Sequence, residues 1–249
     1  MNNIVEIKDM SLIYNTPEGE TLAVDNLSLS IKKGEFVAIV GPSGCGKSTI
    51  LSVIAGLLKP TTGIVNVNTN SIIGYMLQKD YLFEWRNIFD NVCLGLEIQK
   101  KLTEEEKNYA HKLLEQYGLS DFEKSYPSQL SGGMRQRAAL IRTLMLKPEI
   151  LLLDEPFSAL DYQTRLSVSD EIGTIIKKEK KTAILVTHDI SEAISLSDKV
   201  FVLTKRPAKL KSIYEINLTA ENRTPMKSRE APEFKDYFNN IWKELDVHV

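Results

Sequence analysis

The sequence predicts an α/β fold in which a mainly parallel sheet is accompanied by an N-terminal antiparallel β subdomain and a helical subdomain. Short β-type segments alternate with longer helical patterns along the chain. Three β-type segments contain runs that are apolar on both faces, as buried parallel strands are: EFVAIVG at 35–41, EILLLDE at 149–155 and TAILVTH at 182–188. The 249 residues, 43% of them hydrophobic, suffice for one large domain of this class, whereas two full domains would be cramped.

The first two predicted strands differ from these buried runs. VEIKDMSLIY at 5–14 and TLAVDNLSLSI at 21–31 approach an alternation of apolar and polar residues. This pattern is typical of strands with one buried face, so it predicts an antiparallel sheet beside the main core. A further strand is predicted at 199–205, KVFVLTK.

Helical patterns dominate between Gln78 and Gln129. The clearest is LTEEEKNYAHKLLEQYGL at 102–119, where Thr103 and Glu106 could form a capping box and Gly118 would end the helix. One face of this helix would carry Tyr109, Leu113, Leu114 and Tyr117. In the C-terminal extension of about 206–249, a helix is predicted from Glu233 to about Leu245, with no role assigned to it.

The net charge and the cysteine content indicate which partners and which compartment to expect. The formal net charge is −2, which gives no general attraction to nucleic acid. The two cysteines and the absence of a basic, apolar N-terminal segment favour a reducing cytoplasm. The longest apolar runs are much shorter than the roughly 20 residues of a spanning helix, so membrane contact would have to be made through another polypeptide.

A phosphate-binding loop is predicted directly after the strand at 35–41. Two glycines separated by four residues are followed by Lys-Ser, and a helical pattern, STILSVIAGL, comes next. Backbone N–H groups of such a loop and the helix N-terminus would bind phosphates. Lys47 would reach the β- and γ-phosphates and Ser48 would bind Mg²⁺. The loop consists of Gly41, Pro42, Ser43, Gly44, Cys45, Gly46, Lys47, Ser48 and Thr49.

Two further strand ends carry candidate catalytic residues. Asp154 and Glu155 follow ILLL, at the sheet edge where ligands of α/β folds bind. Asp154 would hold Mg²⁺, and Glu155 would act as general base toward a water in line with the γ-phosphate. His188 follows the strand at 182–188 and could donate a hydrogen bond to the γ-phosphate, whereas His111 and His248 are interpreted as surface residues.

The segment LSGGMRQR at 130–137 resembles the diagnostic motif of the ATP-binding-cassette (ABC) family. The other family motifs follow in order up to about residue 205, including Gln78 and Ser158-Ala-Leu-Asp161. The resemblance implies one ABC ATPase domain over 1–249, with a helical subdomain at about 79–145 inserted in the nucleotide-binding core. ATP and Mg²⁺ would be its cofactors.

The resemblance also implies roles for individual residues. Cassettes of this family pair head to tail, so Ser131, Gly132 and Gly133 of one copy would cover ATP on the phosphate loop of the other. Asp161 would align the dimer, here expected to be a homodimer. Gln78 would contact Mg²⁺ or the attacking water and link the site to a membrane protein. Tyr14 would stack on adenine.

Within the family, the chain resembles the cassettes of nitrate, sulfonate and taurine importers. The similarity lies in 76–97, with its Trp85-Arg86 pair, in LSGGMRQR and in PFSALDYQTR at 156–165. The implied partners are integral membrane permease subunits and an extracytoplasmic solute-binding protein. The implied location is the cytoplasmic face of the cell membrane.

Two other classes compete with this interpretation. A non-transport ABC ATPase acting in DNA repair or translation usually carries a long coiled-coil interruption or a second cassette, and this sequence has neither. A P-loop kinase or GTPase would leave the LSGG segment and His188 unexplained. Cys45 has two open interpretations, a thiol whose thiolate is favoured near a helix N-terminus and a small filler.

Overall fold

The computed structural model describes residues 3–17, 19–69, 71–158, 160–178, 181–220 and 224–245. Two compact units are present, one formed by Met1–Asn70 and Ser169–Val249 and the other by Ser71–Val168. The second unit includes the residues of the predicted helical subdomain, 79–145.

The strands and helices are numbered in chain order. The strands are β1 Asn3–Thr16, β2 Gly19–Lys32, β3 Phe36–Val40, β4 Thr62–Val67, β5 Ile73–Met76, β6 Ile150–Asp154, β7 Thr182–Thr187, β8 Lys199–Leu203 and β9 Leu210–Glu215. The helices are α1 Lys47–Ile54, α2 Ile88–Ile98, α3 Glu104–Gln116, α4 Gly132–Leu144, α5 Tyr162–Lys178, α6 Ile190–Leu196, α7 Pro225–Glu230 and α8 Phe234–Leu245.

In the first unit, β2, β1 and β4 form an antiparallel sheet in that order. This confirms the antiparallel sheet predicted from the alternation in β1 and β2. Ile7 of β1 pairs with Leu29 on one side and with Val65 on the other. Strand β4 was not predicted. It is an edge strand whose residues are exposed or half-buried, so it shows neither a buried apolar run nor a regular alternation of apolar and polar residues, the two patterns from which strands were predicted.

The same unit contains a second group of strands in the order β7-β3-β8-β9. β3 is buried along its whole length and pairs in parallel with β7 and β8. β9 pairs antiparallel with β8, and its residues alternate between half-buried and exposed, as on the edge of a sheet. Val40 of β3 lies beside Thr187 of β7, so the loops that follow these two strands leave the same edge.

In the second unit, β5 and β6 pair in parallel, with Met76 beside Leu153. Their carboxyl ends therefore bring the segments that begin at Leu77 and Glu155 to a common edge. Helices α2, α3 and α4 of this unit pack on one another. They form the helical region that the sequence predicts.

Helix α3 begins as predicted but lacks the second half of the capping box. The Thr103 hydroxyl accepts a hydrogen bond from the Glu106 N–H at 3.3 Å, which caps the helix. The Glu106 carboxylate is wrongly predicted to return to Thr103: one oxygen binds Lys147 Nζ at 2.8 Å and the other has no hydrogen-bond partner. Leu113, Leu114 and Tyr117 are buried, and Tyr109 is half-buried beneath the Lys147 ammonium group.

The C-terminal helix α8 matches the predicted range within one residue. Ile241 is buried, and Glu244 accepts hydrogen bonds from the Ser212 and Tyr214 hydroxyls of β9. The helix is thereby fastened to the edge strand. His248 lies outside the described residues. Across those that are described, no helix has both the length and the apolar character needed to span a bilayer.

Candidate active site

The phosphate loop connects β3 to α1, as predicted. Gly44 and Gly46 have φ angles of 70° and 126°, which residues with side chains rarely adopt. Lys47 is 5% exposed, and its Nζ donates to the carbonyls of Gly41 at 2.9 Å and Pro42 at 3.1 Å. The Cys45 N–H also donates to the Pro42 carbonyl, at 3.2 Å. Two donors, the Lys47 ammonium group and the Cys45 N–H, therefore converge on one acceptor, as donors that bind an anion do.

His188 follows β7 and lies beside the start of the phosphate loop. A cavity of about 270 Å³ is lined by Gly41, Pro42, Ser43, His188, Ile190, Trp242 and Leu245. The next residue, Asp189, caps α6 by accepting from the N–H groups of Ser191 at 2.8 Å and Glu192 at 3.1 Å. The exposed imidazole is thus carried on a backbone that is fixed by the strand before it and the helix cap after it.

Tyr14 of β1 contacts the helix that the phosphate loop begins. Its hydroxyl lies 3.1 Å from the Thr49 hydroxyl in a hydrogen bond. The Tyr14 residue is 37% exposed, so part of the ring is accessible to a ligand. Tyr14, the phosphate loop and His188 all belong to the first unit.

The acidic strand end lies in the second unit, together with Gln78. Asp154 is the last residue of β6 and is 7% exposed. The Gln78 amide nitrogen donates to a Glu155 carboxylate oxygen at 3.3 Å. Glu155 has a φ of 45°, an uncommon left-handed conformation for a residue with a side chain, and its carbonyl accepts from the Ser158 hydroxyl at 3.0 Å. The structure therefore joins Gln78 and Glu155, two of the predicted catalytic residues.

The backbone after Gln78 is held by helix α4, which follows the LSGG segment. The Gln136 amide nitrogen donates to the Gln78 carbonyl at 3.4 Å. The Arg142 guanidinium donates to the carbonyls of Asp80 at 2.6 Å and Tyr81 at 2.7 Å. Arg135 Nε pairs with the Asp80 carboxylate at 3.2 Å. The glutamine segment and the LSGG helix thus form one hydrogen-bonded assembly.

In the LSGG segment, Ser131 caps α4, and its hydroxyl accepts from the Met134 N–H at 3.3 Å. Ser131 is exposed and Gly132 is half-exposed. Gly133 is buried, and a Cβ at this position would approach the Thr164 methyl group to 2.7 Å, so a larger residue would require Thr164 to move. The start of α4 therefore presents the Ser131 hydroxyl and the Gly132 backbone on an accessible surface, whereas Gly133 is covered.

Asp161 lies immediately before α5. Its carboxylate accepts from the N–H groups of Gln163 and Thr164, each at 3.1 Å. The pKa of the Asp161 carboxyl is lowered mainly by a hydrogen bond from the Thr164 side chain and, to a smaller extent, by the one from the Thr164 backbone N–H. Asp161 therefore caps a helix while remaining exposed.

The structure contradicts one of the two sequence-based interpretations of Cys45. The residue is 1% exposed, and burial raises the pKa of its thiol, although Lys47 acts in the opposite direction. The favoured thiolate that a helix N-terminus suggests is therefore a wrong expectation, because desolvation outweighs the nearby positive charge. The small-filler interpretation fits the buried position.

Two residues beside the loop were missed by sequence reasoning. Arg206 donates through Nε and Nη2 to the Gly44 carbonyl, at 3.1 and 2.9 Å. Trp242 of α8 lines the cavity that contains His188. Neither residue belongs to a local motif, and the residues that they contact are distant in sequence. No local sequence pattern could therefore identify them.

Comparisons with known proteins agree with this arrangement. A family model described as ABC transporter matches residues 24–158. The uncharacterized ABC transporter ATP-binding protein YtlC of Bacillus subtilis is 46% identical, over 98% of this chain and 96% of its own. The nitrate import ATP-binding protein NrtD of Synechocystis sp. is 37% identical, over 95% of this chain and 93% of its own.

A solved structure also matches. It is a dimeric post-hydrolysis state of the ATP-binding cassette MJ0796 bound to ADP and Pi, with a TM-score of 0.74 and 31% sequence identity over 86% of this chain and 99% of that one. The predicted fold class and the resemblance to importer cassettes are confirmed. The chain therefore belongs to the ABC transporter family, as an ATP-binding cassette that binds and hydrolyses ATP.

Proposed function

We propose that the chain is the ATP-hydrolysing subunit of an importer for a small solute of the nitrate, sulfonate or taurine class. The hydrolysis rests on one observation above all: Glu155 stands at the end of a buried strand with Gln78 bonded to its carboxylate. The import role is supported by the similarity to NrtD along 95% of the chain and by the Trp85-Arg86 segment.

The phosphate loop would bind the nucleotide through its backbone N–H groups, with Lys47 placed against the β- and γ-phosphates. Lys47 and the Cys45 N–H now share the Pro42 carbonyl, and a phosphate oxygen would replace that acceptor. Tyr14 would stack on adenine, and His188 would donate to the γ-phosphate. Gly41, Pro42 and Ser43 of the loop line one cavity with His188, which supports a shared role of the loop and this histidine in phosphate binding.

The residues proposed for Mg²⁺ offer a hydroxyl, an amide oxygen and a carboxylate. Mg²⁺ prefers oxygen ligands and retains coordination positions for phosphate oxygens and water. The chemistry of Ser48, Gln78 and Asp154 therefore fits the ion. Bound there, Mg²⁺ would supply positive charge to the β- and γ-phosphate oxygens. Glu155 would take a proton from the attacking water while Gln78 holds its carboxylate.

The nucleotide site would be completed by a second copy of the chain. The exposed Ser131 hydroxyl and the first N–H groups of α4, at Gly132 and Gly133, could add stabilisation of the developing negative charge. Asp161, exposed beside α5, would align the two copies. The MJ0796 cassette, whose solved state is dimeric, supports the same arrangement for this chain.

Coupling to transport would occur at the cytoplasmic face of the cell membrane, through permease subunits supplied by another chain. A solute-binding protein outside the cytoplasm would complete the system. The segment 77–98 offers several exposed apolar side chains for a permease contact: Leu77, Tyr81, Trp85 and Ile98.

The first experiment replaces the proposed base. We expect Glu155→Gln to lower ATP hydrolysis by about 10²-fold or more while ATP still binds, because the general base is lost and the loop is intact. Steady-state phosphate release and the Kd for ATP measure the two effects. Glu115→Gln, an exposed residue of α3, is the matched control and should keep the wild-type rate. Wild-type hydrolysis by Glu155→Gln would refute the role of this carboxylate.

The same variant tests coupling. Tagged Glu155→Gln is extracted from host membranes with MgATP in detergent, and the copurifying proteins are identified. A multi-spanning membrane protein would support the importer proposal. Ribosomal or DNA-repair proteins alone would contradict it.

A further inference from the structure

We propose that Arg206 is a positioning residue of the phosphate loop, which orients the Gly44–Cys45 peptide for nucleotide binding. The proposal rests on the nucleotide site proposed above and names a residue outside its motifs. Both hydrogen bonds from the guanidinium end on one carbonyl oxygen, that of Gly44, at 3.1 and 2.9 Å. Bonds from a charged donor are stronger than neutral ones, so this contact favours one orientation of the peptide.

The turn that carries Arg206 is itself fixed. The Thr204 hydroxyl donates to the Pro207 carbonyl at 3.1 Å and accepts from the Lys209 N–H at 3.0 Å, which closes the turn between β8 and β9. The Ala208 N–H donates to the Ala23 carbonyl at 2.9 Å, and the Asp25 N–H donates to the Ala208 carbonyl at 3.0 Å. The backbone of the turn is therefore joined to β2, independently of the Arg206 side chain.

The turn also contacts the phosphate loop directly. A Cβ at Gly46 would lie 3.3 Å from Ala208 Cβ and 2.9 Å from the Ala23 carbonyl oxygen. The loop, β2 and the turn thus meet at Gly46, where a side chain would not fit. From this turn, Arg206 reaches the Gly44–Cys45 peptide, which precedes Gly46 in the loop.

The orientation of that peptide decides where an amide donor points. In a trans peptide, the carbonyl of one residue and the N–H of the next point in opposite directions. The Gly44 carbonyl faces Arg206, and the Cys45 N–H faces the Pro42 carbonyl, which also accepts from Lys47 Nζ. Arg206 therefore favours the peptide orientation in which the Cys45 N–H and the Lys47 ammonium group serve the same phosphate position.

The test compares Arg206→Met, which keeps the aliphatic stem, with Arg206→Lys, which keeps a charged donor. Lys209→Met is the matched control, because it removes a positive charge from the same turn. The Lys209 ammonium group pairs with the Asp25 carboxylate at 2.8 Å and not with the phosphate loop. For Arg206→Met we expect the Kd for ADP and for ATP to rise by about tenfold, as loss of a charge-assisted hydrogen bond allows. The kcat at saturating ATP should stay within about twofold of wild type, since the catalytic groups are unchanged.

Arg206→Lys should recover part of the affinity, and Lys209→Met should bind as the wild type does. The melting temperatures of nucleotide-free Arg206→Met and Lys209→Met should agree within about 2 °C, which separates positioning from a general loss of stability. An unchanged Kd in Arg206→Met, or an equal loss in Lys209→Met, would overturn the proposal. If the wild-type protein itself releases no phosphate from ATP, the proposed function fails instead, so the two failures are distinguishable.

Discussion

At the scale of single residues, Cys45 allows the phosphate loop to be probed chemically. The thiol is buried, and burial raises its pKa above the ordinary value. Because the thiolate is the reactive form, a raised pKa lowers its fraction at neutral pH. Its sulfur nevertheless lies against Gly41, where a Cβ would approach Sγ to 2.9 Å, so a group attached to the thiol would have to displace the phosphate loop.

We expect alkylation of Cys45 by iodoacetamide to be slow at pH 7 and to accelerate by about tenfold per pH unit above it, with thiolate fraction. Modification should block nucleotide binding, and ATP should protect the thiol. Mass spectrometry of the modified peptide and the Kd for ATP measure both effects.

The control for this experiment is simple because the chain has only two cysteines. Cys93→Ala leaves Cys45 as the only thiol. In the wild type, burial and the nearby Asp90 raise the pKa of Cys93 to about 12, so Cys93 should react more slowly still. Full ATP binding after verified alkylation of Cys45 would contradict the assignment of this residue to the phosphate site.

At the scale of elements, helix α4 fixes the segment that follows Gln78. Arg142 is half-buried and supplies two short hydrogen bonds to the backbone of that segment, at Asp80 and Tyr81. Tyr81 has a φ of 45°, a left-handed conformation that costs energy for a residue with a side chain. The Arg142 contacts help to hold that conformation.

Arg142→Met should therefore lower the free energy of unfolding by about 1–3 kcal/mol, because two backbone carbonyls lose a charged partner. Urea unfolding measures the change. The control is Arg86→Met, which removes an arginine from an exposed ion pair with Glu97 and should lower the stability less than Arg142→Met does. Equal stability of Arg142→Met and the wild type would show that α4 does not hold the segment through this residue.

The elements that the sequence predicts are those with a local signal. Buried runs such as ILLL and the alternation of β1 and β2 identify strands because several neighbouring residues share one environment. β4 and β9 are edge strands with many exposed residues, and β5 has only four residues, so their patterns are too weak. Their pairing depends on partners elsewhere in the chain.

The same distinction applies to the candidate site. The phosphate loop, Asp154 and Glu155 are recognisable because the chemistry requires particular residues next to one another. The contact of Arg206 with Gly44 joins residues 162 positions apart and leaves no local pattern. For Glu106, a local pattern was misleading. Its spacing to Thr103 suggests a local hydrogen bond, but its carboxylate binds the distant Lys147.

At the scale of the whole molecule, the proposed chemistry is shared between the two units. The first unit carries the phosphate loop and His188, and the second carries Glu155 and the LSGG segment. In the proposed head-to-tail dimer, each nucleotide would lie between the loop of one copy and Ser131 of the other. Every active site would then combine residues of two chains, and this arrangement can be tested by mixing defective copies.

Lys47→Ala should inactivate both sites of a dimer because phosphate binding is lost, and Ser131→Arg should do so because the bulky charge blocks the facing copy. In a mixed dimer, both changes fall in one site and the other site is intact. An equimolar mixture should therefore regain about a quarter of the wild-type phosphate release, since about half of the dimers are mixed and each has one working site. As the control, each variant alone is treated in the same way and should stay inactive. If the equimolar mixture of the two variants also stays inactive, sites composed of two chains are contradicted.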